Sequence, residues 1–245
     1  AVMIPARNEE NNIEETIDNL LNMNNLSTRY QLEIVVVDDG SKDKTIEKLK
    51  NYPIDIVERE DRGYSALGRP ELAETHNSGF RFISQNLQNI QYLMVVGADT
   101  TFEINYIDIL LDEFEKNEKL VMSAGIINNT NASKNAVRGS GRIIKYNFWI
   151  EFGELLPTKY YAWESYPIYY ALAKGYHTLT FNKAIMYTKR EPMAIVDWKN
   201  YGIQMREIGY IFPYVIHRGI KQILKFKFMR FIKLVYGYVK TPENV

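Results

Sequence analysis

The sequence contains no cysteine. That removes disulfide scaffolds, thiolate metal sites and cysteine nucleophiles, and it fits a reducing compartment such as the cytoplasm. Histidine is scarce, three in 245 residues, which argues against an imidazole-rich metal centre. No run of 18 apolar residues occurs, so no transmembrane helix is expected. Residues 1–5 lack the basic start and long apolar stretch of a signal peptide. Net charge is also absent, 30 Lys plus Arg balancing 30 Asp plus Glu. With 46% apolar and 24% charged residues the chain has the composition of a globular protein, which excludes disordered, collagen-like and low-complexity classes. Its length suits one large α/β domain or two small ones.

Charge balances overall but not along the chain. Residues 211–240 hold seven cations (Arg218, Lys221, Lys225, Lys227, Arg230, Lys233 and Lys240) and no acid. The other 215 residues carry 23 basic and 30 acidic side chains. An acidic body with a basic, aromatic tail points the tail toward an anionic surface.

The first half alternates short β-branched runs with stretches of helical period. Strands are expected at residues 1–5, 32–37, 54–57, 92–96 and 121–127, and helices at 9–21, 44–49, 71–87 and 104–116. This order implies βαβ units and a mainly parallel sheet, with ligands at the C-terminal strand ends. Arg7, Asn8 and Glu9, then Asp38 and Asp39, then Asp99 follow three such strands. Residues 128–142 are polar and rich in Gly, Ser and Asn, which reads as a mobile loop. Helices are expected at 143–156 and 195–208, short strands at 178–181 and 184–187. Residues 212–238 read as one or two amphipathic helices, broken near Gly219 or Phe226. No linker separates two domains. The expected layout is a catalytic domain over 1–210, with a nucleotide half (1–127) and a substrate half (128–210), followed by a basic helical tail (211–245).

Three constellations can carry chemistry. In Asp38-Asp39-Gly40-Ser41 the carboxylates can accept hydrogen bonds from a base or ribose, or simply close a turn. In Gly97-Ala98-Asp99-Thr100 the acid can hold Mg²⁺ or Mn²⁺, or cap the next helix. In Trp163-Glu164-Ser165 a carboxylate beside an indole would be partly desolvated and raised toward the range of a general base, or would open a helix. Arg138 and Arg142, around hinge glycines, can close on phosphates or belong to a solvated loop.

Pro5-Ala6-Arg7-Asn8-Glu9-Glu10, Val35-Val36-Val37-Asp38-Asp39-Gly40-Ser41 with Thr45, Asn77-Ser78-Gly79 and Gly97-Ala98-Asp99 come in an order and at spacings that resemble the family 2 glycosyltransferases of the GT-A fold. The resemblance covers residues 1–127, extends through Trp163-Glu164, and reaches Tyr201-Gly202 and Gly209-Tyr210, like a pattern in membrane-associated members. It implies an α/β GT-A domain that moves a sugar from a nucleotide diphosphate sugar, with inversion, to an acceptor hydroxyl or lipid phosphate. It implies that Pro5, Ala6, Arg7, Glu9, Asp38, Asp39, Asn77 and Ala98 surround the nucleotide. Asp99 would be the last acid of the DxD metal motif and Glu164 the general base. Two departures bear on the metal. Gly97 stands where that motif has its first acid, and the region of a frequent histidine reads Tyr187-Thr188-Lys189-Arg190. Weak metal binding by Asp99 is therefore expected, with Lys189 or Arg190 available to neutralise a diphosphate.

The alternative is a non-catalytic nucleotide-sugar-binding protein, motivated by Gly97. A sugar-1-phosphate nucleotidyltransferase is rejected because residues 5–9 lack the glycines of its phosphate loop. The tail fits a helix at an anionic membrane surface, presenting a lipid-linked or glycan acceptor, or else a helix packed on the core or in a dimer. Its apolar content argues against nucleic acid. The expected location is the cytoplasm, at the cytoplasmic face of a membrane.

Overall fold

The computed structural model describes residues 1–130, 137–190 and 197–241. The described residues build one mixed eight-stranded sheet with helices on both faces. Strand β1 (Val2–Ala6) lies between β2 (Ile34–Asp38) and β4 (Tyr92–Val95), and β3 (Asp55–Glu58) pairs beyond β2; these contacts are parallel. Strands β1 and β2 are buried on both sides. Val2, Ile4, Ile34 and Val36 face one core with Ile13, Ile17 and Leu20 of α1 (Ile13–Leu26). Met3, Val35 and Val37 face the other with Ala73, Phe80 and Ile83 of α3 (Leu72–Asn86). A nearly continuous apolar run is what two covered faces require.

The second half completes this sheet instead of forming a separate one. Strand β6 (Leu120–Ile127) runs parallel to β8 (His177–Thr188). Strand β7 (Arg142–Lys145) is antiparallel to both β4 and β6, and β5 (Thr100–Phe102) is antiparallel to the end of β8. The strand order is β3-β2-β1-β4-β7-β6-β8-β5.

Most boundaries in the first half fall within a few residues of expectation; α2 (Thr45–Leu49) and α4 (Tyr106–Lys116) are where the periodicity puts them. Four differences have physical causes. Helix α1 starts at Ile13, not residue 9, because the Glu9 amide donates to Thr45 Oγ1 (2.7 Å) and is held in a loop. Residues 142–145 form a strand instead of helix, since β4 and β6 supply partners on both sides; α5 follows at Tyr146–Phe152. Residues 178–187 belong to one 12-residue strand, β8. Strand β5 is too short, at three residues, to leave a period. Of the expected loop 128–142, residues 131–136 lie outside the described residues, as do the first two residues of the helix expected at 195–208.

A short 3-10 turn (Trp163–Ser165) leads into α6 (Tyr166–Ala173). Helix α7 (Trp198–Glu207) packs with α8 (Phe212–Ile223) and α9 (Phe228–Lys240) around Trp198, Met205, Val215, Leu234 and Tyr238. The small core of the C-terminal unit therefore starts at α7, ahead of the boundary expected at residue 211. A Cβ at Gly202 would sit 2.0 Å from the Leu234 carbonyl oxygen, and one at Gly237 2.0 Å from that of Lys199, so two glycines set the α7–α9 approach. Of the two break points expected in the tail, the chain uses Phe226.

One buried hydroxyl joins three parts of the sheet's second half. Tyr106 on α4 is wholly buried, donates to the Gly141 carbonyl (2.9 Å) and accepts from the Gly125 amide (2.8 Å). Burial pushes its hydroxyl pKa well above the ordinary tyrosine value. Tyr106→Phe would leave a buried N–H and a buried carbonyl unpaired. We expect a loss of about 2–4 kcal/mol, read from urea unfolding with an unchanged m-value.

Candidate functional site

The C-terminal ends of β1, β4 and β8 face a cleft of about 500 Å³ lined by Pro5, Val95 and Thr188 among others. The loops after β1 and β2 are stitched together by side chains. The Asn8 amide donates to Ser41 Oγ (2.9 Å), the Lys42 amide to Asn8 Oδ1 (2.8 Å), and the Lys44 amide to Glu10 Oε2 (3.0 Å). Asn8 sits at φ 54°, a left-handed conformation that Asn tolerates better than most residues.

Asp99 and Glu164 both line this cleft, with Pro5, Arg138 and Arg190. Asp99 lies in the turn between β4 and β5. Its Oδ2 accepts from Thr188 Oγ1 (3.3 Å) and stands 3.8 Å from Arg190 Nε. The hydroxyls of Ser140 and Thr100 meet at 2.9 Å beside it, and Ser140 Oγ also takes the Gly97 amide (2.9 Å). Arg190 forks onto Glu9, with Nη2 2.6 and 2.5 Å from the two carboxylate oxygens. One guanidinium thus spans the expected nucleotide acid and the expected metal acid.

Glu164 projects from the 3-10 turn with its side chain 48% exposed. The expected desolvation by Trp163 is absent, because that ring turns inward onto His76 (centroids 4.9 Å apart). What holds Glu164 is Arg142. This arginine is buried; it donates to the carbonyls of Val137, Arg138 and Glu164 and reaches the Glu164 carboxylate at 3.7 Å. Burial lowers its pKa. Gly139 fits under the same carboxylate: a Cβ there would stand 1.7 Å from Oε1.

The structure reassigns several expected site residues. Asn77 is buried and spends its amide on the Leu156 backbone (2.9 and 2.8 Å), so it fastens a loop and does not reach a nucleotide. Asp38 turns back onto the Gly40 and Ser41 amides (3.1 and 3.0 Å), the turn-closing alternative. Arg142 is a clamp inside the protein, not part of a closing loop. Lys189 pairs with Glu15 (2.5 Å) and not with cleft acids. Ala6 ends β1, and the Ala98 carbonyl accepts from Thr16 Oγ1 (2.9 Å). Arg7 bridges the Asp39 carbonyl and Asp61. Asp39 is buried under two arginines: its Oδ1 takes Arg59 Nε (3.1 Å), Arg62 Nη2 and Thr75 Oγ1 (2.9 Å).

Arg59, Arg62 and His76 were not singled out in the sequence. Arg59 and Arg62 follow β3 as Asp39 follows β2, so the strand-end rule that found Asp39 also reaches them. His76 left no such signal, since it sits on the inner face of α3 like an apolar residue.

The model of the family described as glycosyl transferase family 2 matches residues 1–174. The chain belongs to that family. No curated protein is detectably similar in sequence. Among solved structures, the mannosyltransferase PcManGT of Pyrobaculum calidifontis, in complex with GDP-Man and Mn²⁺, superposes with a TM-score of 0.62 at 17% identity, over 98% of this chain and 69% of that one. TarS 1–349 of S. aureus with UDP gives 0.57 at 16% identity, over 84% and 63%. Glucosyl-3-phosphoglycerate synthase of Mycobacterium tuberculosis, with Mn²⁺ and UDP, gives 0.57 at 16%, over 78% and 72%. The chain spans 63% of TarS 1–349 in its UDP complex and 42% of the longer TarS chain. These likenesses establish the GT-A type of fold for this family 2 member.

His76 gives the site a measurable acid response. Burial lowers its pKa, and its Nδ1 pairs with the Leu72 carbonyl (2.9 Å). The unfolded chain therefore takes up this proton at a higher pH than the folded one. The stability tied to neutral His76 is present above about pH 6.5 and is lost as pH falls through the lower folded value. In melting temperatures followed from pH 7.5 to 5, His76→Gln is expected to show a shallower decline than the parent.

Proposed function

We propose that this family 2 member transfers a sugar from a nucleotide diphosphate sugar to an acceptor hydroxyl, with inversion, using Glu164 as the base. The observation that carries the reading is the meeting of Asp99, from the first half, and Glu164, from the second, on one cleft at the strand ends. The complexes of TarS with UDP-GlcNAc and of the mannosyltransferase with GDP-Man support the donor class.

The acceptor oxygen attacks the anomeric carbon, its proton passes to Glu164, and the bond from that carbon to the diphosphate breaks on the opposite face. Glu164 is suited to this by being half-exposed, fixed by Arg142 and free of any carboxylate partner among the described residues. A single displacement needs no second carboxylate as nucleophile. Arg138 and Arg190 offer cations to the leaving diphosphate.

A divalent cation fits the donor set in a limited way. No group of three His, Asp or Glu that could enclose one exists among the described residues. Mg²⁺ is nonetheless commonly held by one or two carboxylates together with substrate phosphates and waters. Asp99 would be the protein ligand, and the ion would neutralise charge on the diphosphate.

Two substitutions test the reading. Glu164→Gln should lower kcat about 10²–10⁴-fold while thermal-shift titration with the donor is unchanged. Parent-like turnover in that variant would remove the base assignment, and donor binding without any turnover in the parent would favour the non-catalytic alternative. Gly139→Ala must displace the Glu164 carboxylate, the flexible end of a side chain, with little cost to the backbone. We expect kcat to fall at least tenfold with donor affinity intact, because small misplacements of a reacting group are costly.

A further inference from the structure

No helix among the described residues is long and apolar enough to cross a membrane. The α8–α9 hairpin nevertheless leaves large side chains in water. Leu224 is 74%, Phe226 88% and Met229 63% exposed, all at its tip. Along α9, Met229, Ile232, Tyr236 and Val239 recur every three or four residues and form one exposed stripe. The opposite side, with Leu234 and Tyr238, is buried against α7.

The tip has an unusual construction. The Phe226 amide bonds to the Ile223 carbonyl (2.8 Å) and the Lys227 amide to that of Gln222 (2.9 Å). This is a Schellman ending, and Phe226 holds its left-handed position at φ 56°. Glycine is the default there, because an L side chain is strained. A bulky ring in that position, almost fully in water, gains nothing from the chain's own fold.

Charge narrows what could cover the stripe. The seven cations of residues 211–240 form no salt bridge with a carboxylate among the described residues; Arg218 and Arg230 lie over the rings of Tyr201 and Trp198 instead. A second copy meeting this face would bring like charges together. A nucleic acid would meet the cations but leave the stripe wet. A bilayer of anionic lipids meets both demands, with apolar side chains at the acyl boundary and lysines at the headgroups.

We propose that the α8–α9 hairpin docks on an anionic phospholipid surface, with Leu224, Phe226 and Met229 entering the interface and Lys225, Lys227 and Arg230 meeting the headgroups. The docking is independent of donor binding and turnover.

Flotation of the full chain with phosphatidylcholine vesicles, with and without 30 mol% phosphatidylglycerol, tests it (roughly 30%, a content in the range of anionic membranes). The chain should float with the anionic vesicles, and less so at high salt. Lys225→Gln with Lys227→Gln should weaken binding about 25-fold, near fivefold per cation. Phe226→Gly should keep or raise the melting temperature, since glycine suits this φ, and yet reduce flotation. Failure to float with either vesicle would overturn the proposal. So would unaltered flotation of Phe226→Gly, a dimer in size-exclusion chromatography that this variant dissolves, or tight binding to single-stranded DNA in place of vesicles.

Discussion

Withdrawing a carboxylate from water at the end of a parallel strand is costly unless a cation or amide donors meet it. Asp39 and Glu9 are both nearly inaccessible, and each is met by guanidinium groups from elsewhere in the chain. Arg59 and Arg62 come from the loop after β3, and Arg190 from the end of β8, 181 residues beyond Glu9. The strand ends beside the cleft are in this sense an assembly of ion pairs, of which Arg190 also lines the cleft itself. Arg142 extends the same logic, as a buried cation satisfied by three carbonyl oxygens and turned toward Glu164.

The sequence disclosed the elements whose residues answer to their own neighbours. Leu32 to Val37 reads as a strand covered on both sides, and Ile34–Asp38 is that strand; Ile107, Leu110, Leu111 and Phe114 read as one face of a helix and are buried together on α4. It disclosed less where a partner strand decides. Ile143 and Ile144 share a helical spacing with Phe148 and Trp149, yet they lie between β4 and β6 because those strands offer unpaired backbone on either side. The candidate site divides in the same way. Asp99 and Glu164 were picked out by the resemblance, since either acid alone reads equally as a helix cap or helix opener, and both line the cleft. Asn77 looked equally informative, but its amide closes onto Leu156, 79 residues away, a pairing that no local pattern can announce. Arg59 and Arg62 went unread because arginines in a charged loop look solvated until a buried carboxylate is placed beneath them.

The C-terminal unit also changes meaning once seen in place. By composition it is a basic appendage beginning near residue 211. In the fold it begins at α7, whose Gly202 receives the backbone of α9 at close range, and Gln204 of the same helix reaches the cleft wall. The part of the chain that carries most of the exposed apolar surface is thus joined to the part that would receive the acceptor.

Two contacts help make that junction: Tyr210 meets Tyr169 of α6 hydroxyl to hydroxyl (3.2 Å), and a carboxylate reaches further toward the cleft. Glu207, at the end of α7, accepts the amide protons of Tyr161 (3.1 Å) and Ala162 (2.8 Å), and burial raises its pKa. Ala162 is two positions ahead of the proposed base. The helical unit is therefore pinned to the Glu164 turn through two peptide groups that one carboxylate holds.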